Sequence, residues 1–207
     1  MNQKKLFPKA VKVATDAIAL IINRTNQDSL IGMPVLEDIL TGRIRNWNEL
    51  SPRIEVVFDN PNSSTIRYAI DSICGDGKLN GHLQAEQSNR AVLDYVSKTP
   101  GALGIIGVNW VSNPVDSTSM SFIGNIRVMA VSRYREATPA NSFKPYQAYI
   151  ALGDYPMTRP VYLILSEPRM GLASGFTSFV ASDRGQRIIL KSGLLPVTQP
   201  LRIVNIK

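Results

Sequence analysis

The sequence predicts an α/β fold with a largely parallel sheet. Short runs of β-branched and apolar residues alternate with stretches of helical spacing, the pattern that βα units leave in a sequence. Glycine, proline and serine punctuate the junctions between them, as turns and helix ends require.

Taken in order, "VKVATDAIALIIN" (11–23) reads as a buried strand, interrupted near Thr15 and Asp16. "MPVLEDILTGRIRNW" reads as a short helix. Pro34 suits its first turn, Leu36, Ile39 and Leu40 share a face, and Gly42 suits its C-terminal cap. "RIEVVF" is a strand, and from Thr65 onward Ile66, Ala69, Ile70 and Ile73 fall on one helical face until Gly75. "QSNRAVLDYVSK" is a helix that Ser88 or Asn89 caps, with Val92, Tyr95 and Val96 as its apolar stripe. Pro100-Gly101 break it, and "ALGIIGV" follows as a glycine-spaced strand. "NIRVMAVS" is a further strand, 133–148 a polar connection, and "RPVYLILSE" a strand again. Two consecutive helices follow from Gly171, with Ser182 capping the second and Gly193 stopping it. "LRIVNI" closes the chain as an alternating strand.

Composition narrows the function. The 207 residues are 44% hydrophobic and 19% charged, ordinary for a soluble globular chain of one domain or two modest lobes. No apolar run reaches membrane-spanning length. The net charge of +7 is scattered, its densest stretch being Arg43 and Arg45. Nucleic-acid binding would leave a clustered patch, so it is not expected, whereas a diffuse positive field gathers small anions. Cys74 is the one cysteine and His82 the one histidine. Cys74 reads as a small core residue near a helix end. No Cys/His cluster has metal-ligand spacing, so neither metal nor cofactor is expected. Serine–histidine catalysis would have to use His82, and nothing near it in "DGKLNGHLQ" recommends that. "MNQKKLFPKAVKV" lacks the apolar core of a signal peptide. That leaves a cytoplasmic protein, or a mature or truncated piece of an exported one.

The stretch "DNPNSSTIRYAID" (59–71) carries the chemistry. A strand turning into a helix aims free N–H groups out of the helix end, and the helix dipole adds positive charge there. Such a turn holds an anion without a lysine. Ser63, Ser64 and Thr65 offer hydroxyl donors, with Asn62 beside them. Phosphate or sulfate, which take several short hydrogen bonds around a compact sphere, suit this geometry. The plain alternative is helix capping by the same hydroxyls. Asp59 repels a dianion, but a carboxylate can accept the hydroxyl of a protonated one.

Four further segments carry a resemblance. "LEDILTGRIRNWNEL", "TPGALGIIGVNW", "YPMTRPVYLIL" and "SFVASDRGQRIILKSGLLP" stand in the same order as similar segments of the phosphate-binding proteins of ABC transporters. The resemblance covers nearly all of residues 6–207. It implies a two-lobe, periplasmic-binding-protein-like fold of type 2, with mixed, largely parallel sheets and ligand held between the lobes. Residues 24–145 would form lobe two. Residues 1–23 and 146–207 would form a partial lobe one, which lacks the N-terminal half that family members carry before the outgoing strand. An incomplete lobe would expose apolar surface and favour self-association.

Within the motif, the family's strand ends in Arg followed by Asp-Gly-Ser-Gly-Thr. Here Asp59 stands at the Arg position, Ser63 and Thr65 match the hydroxyl residues, and Ser64 replaces Gly. Arg67 could supply the missing guanidinium or point into solvent. Thr15 and Asp16 would lie at the hinge, facing either ligand or a hydrogen-bond partner. Arg159 reads as one half of a structural ion pair, and Trp47 as packing for the first helix.

The function implied is a non-catalytic solute-binding protein for phosphate or a similar oxyanion, partnered by an ABC permease and located in the periplasm or anchored outside the membrane. The alternative is a protein of this fold that senses another ligand or contacts a partner. An enzyme is disfavoured, because the sequence offers no base, nucleophile or metal constellation.

Overall fold

The structure is a computed structural model that describes residues 8–47, 52–75, 78–80, 82–112, 122–166 and 171–198. In chain order its elements are β1 (Lys9–Asn23), β2 (Leu30–Gly32), α1 (Met33–Leu40), β3 (Glu55–Phe58) and α2 (Ser64–Tyr68), which a π-helical turn continues over Ala69–Cys74. There follow β4 (Leu83–Ala85), α3 (Asn89–Lys98), β5 (Ala102–Gly107), β6 (Ile126–Val128), β7 (Ala130–Ser132) and β8 (Ser142–Phe143). The chain then runs through α4 (Gln147–Leu152), β9 (Thr158–Leu165), α5 (Leu172–Ala181), α6 (Asp183–Lys191) and β10 (Leu195–Pro196).

β1 organises the molecule because it changes partners along its length. From Lys9 to Ala17 it runs antiparallel to β9, with β10 antiparallel to it at Ala14 and Thr15. From Ile18 onward it runs antiparallel to β5, and at Ile21–Asn23 to β6. Parallel pairing joins β5 to β3, β3 to β4, and β2 to β7 in a separate three-stranded sheet completed by β8. The fold is therefore α/β with mixed sheets. Ile18, Leu20, Ile21 and Ile22 are buried without exposed surface, as an all-apolar run between covered faces should be. Leu103, Ile105 and Ile106 of β5 join them, with Leu36, Leu40, Phe58, Val92 and Val96 from the flanking elements. Close packing explains Gly104. A Cβ there would sit 2.6 Å from Ile21 Cγ1 and 2.9 Å from Val96 Cγ2.

Local signals set the helix ends. Pro34 lies in the first turn of α1 and Gly42 follows it at φ 80°. Ser88 Oγ accepts from Ala91 N at the start of α3, and Ser182 Oγ accepts from Gly185 N at the start of α6. Polar pins then fix the elements to each other. Tyr155 donates from its hydroxyl to Ile18 O at 2.6 Å, and burial pushes its phenol far above the usual tyrosine range. Gln186 donates to Val13 O and Val180 O at 3.0 Å each and accepts from Val197 N at 2.7 Å. Trp47 packs against the core and donates from Nε1 to Gly101 O at 3.4 Å.

Several expectations are corrected. "NIRVMAVS" is two short strands broken at Met129, with β6 joined to β1 and β7 to β2 in different sheets. The region around His82, expected as a loop, contains β4, which adds to the outer edge of β3. Ile70 does not share the inner face with Ala69 and Ile73; it is 38% exposed. The π turn there adds a residue to the helical repeat, so a face counted at 3.6 residues slips out of phase. The expected closing strand at 201–206 lies outside the described residues.

Candidate functional site

The turn after β3 is built by its own side chains. Asn60 Oδ1 accepts from Asn62 N at 3.0 Å, and Asn60 O accepts from Ser63 N at 3.2 Å. This is the Asx-type geometry that asparagine favours. Ser63 is the N-cap of α2, and its Oγ accepts from Ile66 N at 3.1 Å. Ser63 and Thr65 are buried while Ser64 is exposed between them. The three residues thus begin a helical segment that runs to Cys74, as expected.

Ser64 does not face open solvent alone. Arg159 Nη1, from β9, donates to Ser64 Oγ at 2.9 Å. The same guanidinium donates from Nε to Asp16 Oδ2 at 2.7 Å, and its Nη2 lies 2.6 Å from that oxygen. Asp16 and Arg159 are direct register partners across the β1–β9 pair, so their side chains meet on one face of the ladder. The other carboxylate oxygen of Asp16 accepts from Ala17 N at 2.8 Å. Asp16 is 6% exposed and is fully partnered through these bonds, as a buried carboxylate must be. The Arg159 side chain stays a quarter exposed. Gly107, at the end of β5, faces it; a Cβ there would come 3.9 Å from Nη2. Tyr68 lies within the field of this arginine: burial raises its phenol pKa, and the charges of Arg159 and Arg133 pull it back.

Asp59, Asn62 and Arg67 are the other expected site residues, and none is joined to Arg159 or Ser64 by a side-chain bond among the described residues. Asp59 Oδ2 accepts from Asn89 Nδ2 at 3.4 Å, at the start of α3. Its Oδ1 is buried and has no partner among the described residues. Asn62 and Arg67 are exposed. The ion pair expected of Arg159 is present. Its reach to Ser64, 95 residues earlier, is a feature that sequence spacing could not reveal. Pairing of β1 with β9 and, through β5, with β3 brings the arginine to the turn. Among the described residues, no group of three His, Cys, Asp or Glu side chains could hold a metal ion.

A serine-rich turn thus meets a guanidinium beside the strand that links two sets of sheet partners. A family profile described as the PBP superfamily domain matches residues 3–184, and the chain belongs to that family. Among its relatives are phosphate-binding protein PstS of Bacillus subtilis (strain 168), 26% identical over 190 residues and covering 90% of this chain, and phosphate-binding protein PstS of Borreliella burgdorferi, 24% identical over 200 residues and covering 91%. The chain spans 57% of the length of the Bacillus relative and 66% of the Borreliella one. A putative phosphate ABC transporter substrate-binding protein from Clostridium perfringens, solved with bound phosphate, superposes with TM-score 0.67 at 27% identity over 92% of this chain and 72% of that one. An ABC-type phosphate transport receptor from Vibrio cholerae, at TM-score 0.69 and 19% identity over 94% of this chain and 74% of that one, shows the same fold.

Proposed function

We propose that this chain captures phosphate or a similar oxyanion as a non-catalytic solute-binding protein of an ABC transporter, working outside the cytoplasmic membrane. The observation that carries the reading is the Ser63–Ser64–Thr65 turn with the Arg159 guanidinium against it. Hydroxyls, backbone N–H groups and one half-neutralised arginine can coordinate a compact oxyanion while excluding water. The names of the relatives point to the same ligand. The lobes of this reading are residues 24–145 on one side and 1–23 with 146–207 on the other, and ligand binding draws them together.

Asp59 serves in this reading as the acceptor for the hydroxyl of a protonated oxyanion, because its Oδ1 is buried without a partner among the described residues. The apolar side chains exposed on β9, α5 and α6, with Leu172 at 92% and Ile164 at 72% exposed, support self-association of this chain. Calorimetric titration with phosphate, sulfate and molybdate tests the reading. Saturable phosphate binding at one site per chain supports it, and no heat with any of the three oxyanions sinks it.

A further inference from the structure

Resting on the reading just given, we propose that Arg159 is the ligand-clamping guanidinium of this site, delivered from the returning strand β9 and not from the end of β3. Asp59 follows the end of β3, with Oδ2 bonded to Asn89 of α3, so that position brings no positive charge to the turn. The turn therefore needs a cation from elsewhere. Arg159 already touches it through Nη1 and Ser64 Oγ at 2.9 Å. The Ser64 oxygen accepts from the arginine, so its own hydroxyl proton is free to donate outward. A hydroxyl that accepts from a cation is polarised into a better donor. Ser64 O–H, strengthened in this way, and the remaining N–H groups of the Arg159 fork then present two donors to one anion, side by side.

Asp16 makes the arrangement durable. It grips Nε and Nη2 through Oδ2 while its Oδ1 is tied to Ala17 N. Asp16 is thus a positioning residue, fixing the fork where β1 changes partner between Ala17 and Ile18. An anion that draws on Arg159 and Ser64 pulls directly on that junction. The Asp16–Arg159 pair carries no net charge, so the site selects by donor geometry more than by field.

Calorimetry on the purified chain tests this, with thermal melts of each variant taken without ligand. Arg159→Gln is expected to weaken phosphate binding by about tenfold to a hundredfold, the worth of one charge-assisted hydrogen bond. Arg159→Lys keeps the charge without the fork and is expected to fall between the two. Arg187→Gln, which breaks an exposed pair with Asp183 on α6, should bind as the wild type does. Ser64 is exposed, so Ser64→Ala cannot act through the core; it is expected to weaken phosphate about fivefold or more. Wild-type affinity in Arg159→Gln or in Ser64→Ala overturns the clamp while leaving the broader reading intact. A wild-type chain that binds no oxyanion overturns both.

Discussion

Ser63 faces the helix it caps, and Ser64 faces Arg159. Neighbouring hydroxyls therefore make separable contributions. Ser63→Ala should cost about 1 kcal/mol of stability through the lost cap, read as a lowered urea midpoint, with less effect on phosphate binding than Ser64→Ala has. Asp59→Asn addresses a different property. If Asp59 accepts the proton of a protonated oxyanion, wild-type affinity for phosphate falls as pH rises and the dianion takes over. The asparagine variant should flatten that profile, and an unchanged profile removes Asp59 from the site. Away from the site, Asp38 binds Arg43, and its Oδ2 lies 2.6 Å from Arg135 Nη2. Arg43 first, and then Arg135, hold its carboxyl below the ordinary aspartate value of 3.8. A depressed carboxyl stabilises the fold above that unfolded value, and the contribution is lost as pH falls through the folded one. Both arginines are more than half exposed, so screening keeps the contribution small. Asp38→Asn should lose about 1 kcal/mol at neutral pH, and denaturant melts at acidic pH should show the gap closing.

The elements differ in how much of themselves they carry in sequence. α1, α3 and α6 were legible because Pro34, Ser88, Ser182 and the glycines at their ends act over three or four residues. β1 was legible from its unbroken apolar run, although the expected interruption at Thr15 and Asp16 is no break: both residues remain in the ladder, and the register irregularity falls between Lys12 and Ala14. β2, β4 and β10 are two or three residues long, too short for a period to show, and exist because a partner strand is beside them. The same limit governs the site. The turn at Ser63–Thr65 is local and could be read, whereas Arg159 arrives through strand pairing and could not. Packing between elements gives a prediction of its own. Gln186 is buried, donates twice and accepts from the chain after β10. Gln186→Leu leaves Val13 O, Val180 O and Val197 N short of a partner. It should destabilise the protein by about 2–4 kcal/mol, measurable as a lowered thermal midpoint.

Across the whole molecule, one strand ties two regions together. The first half of β1 belongs to the antiparallel group with β9 and β10, the second to the group with β5 and β6. On the β9 side, Leu172, Phe176 and Phe179 of α5 and Ile188 of α6 are exposed. The self-association proposed above would use these side chains. Sedimentation velocity at rising concentration should show a shift to larger species, and Phe176→Glu should suppress it. A strictly monomeric wild-type chain would contradict this part of the account. The proposed ligand site lies where the two regions meet, at Asp16, Arg159 and Ser64. The most direct test is a crystal structure of the chain with phosphate. An anion is expected at charge-assisted hydrogen-bond distance, about 2.7–2.9 Å, from both Arg159 and the Ser64 hydroxyl. Phosphate bound elsewhere on the molecule, with the Arg159–Ser64 contact undisturbed, would contradict it.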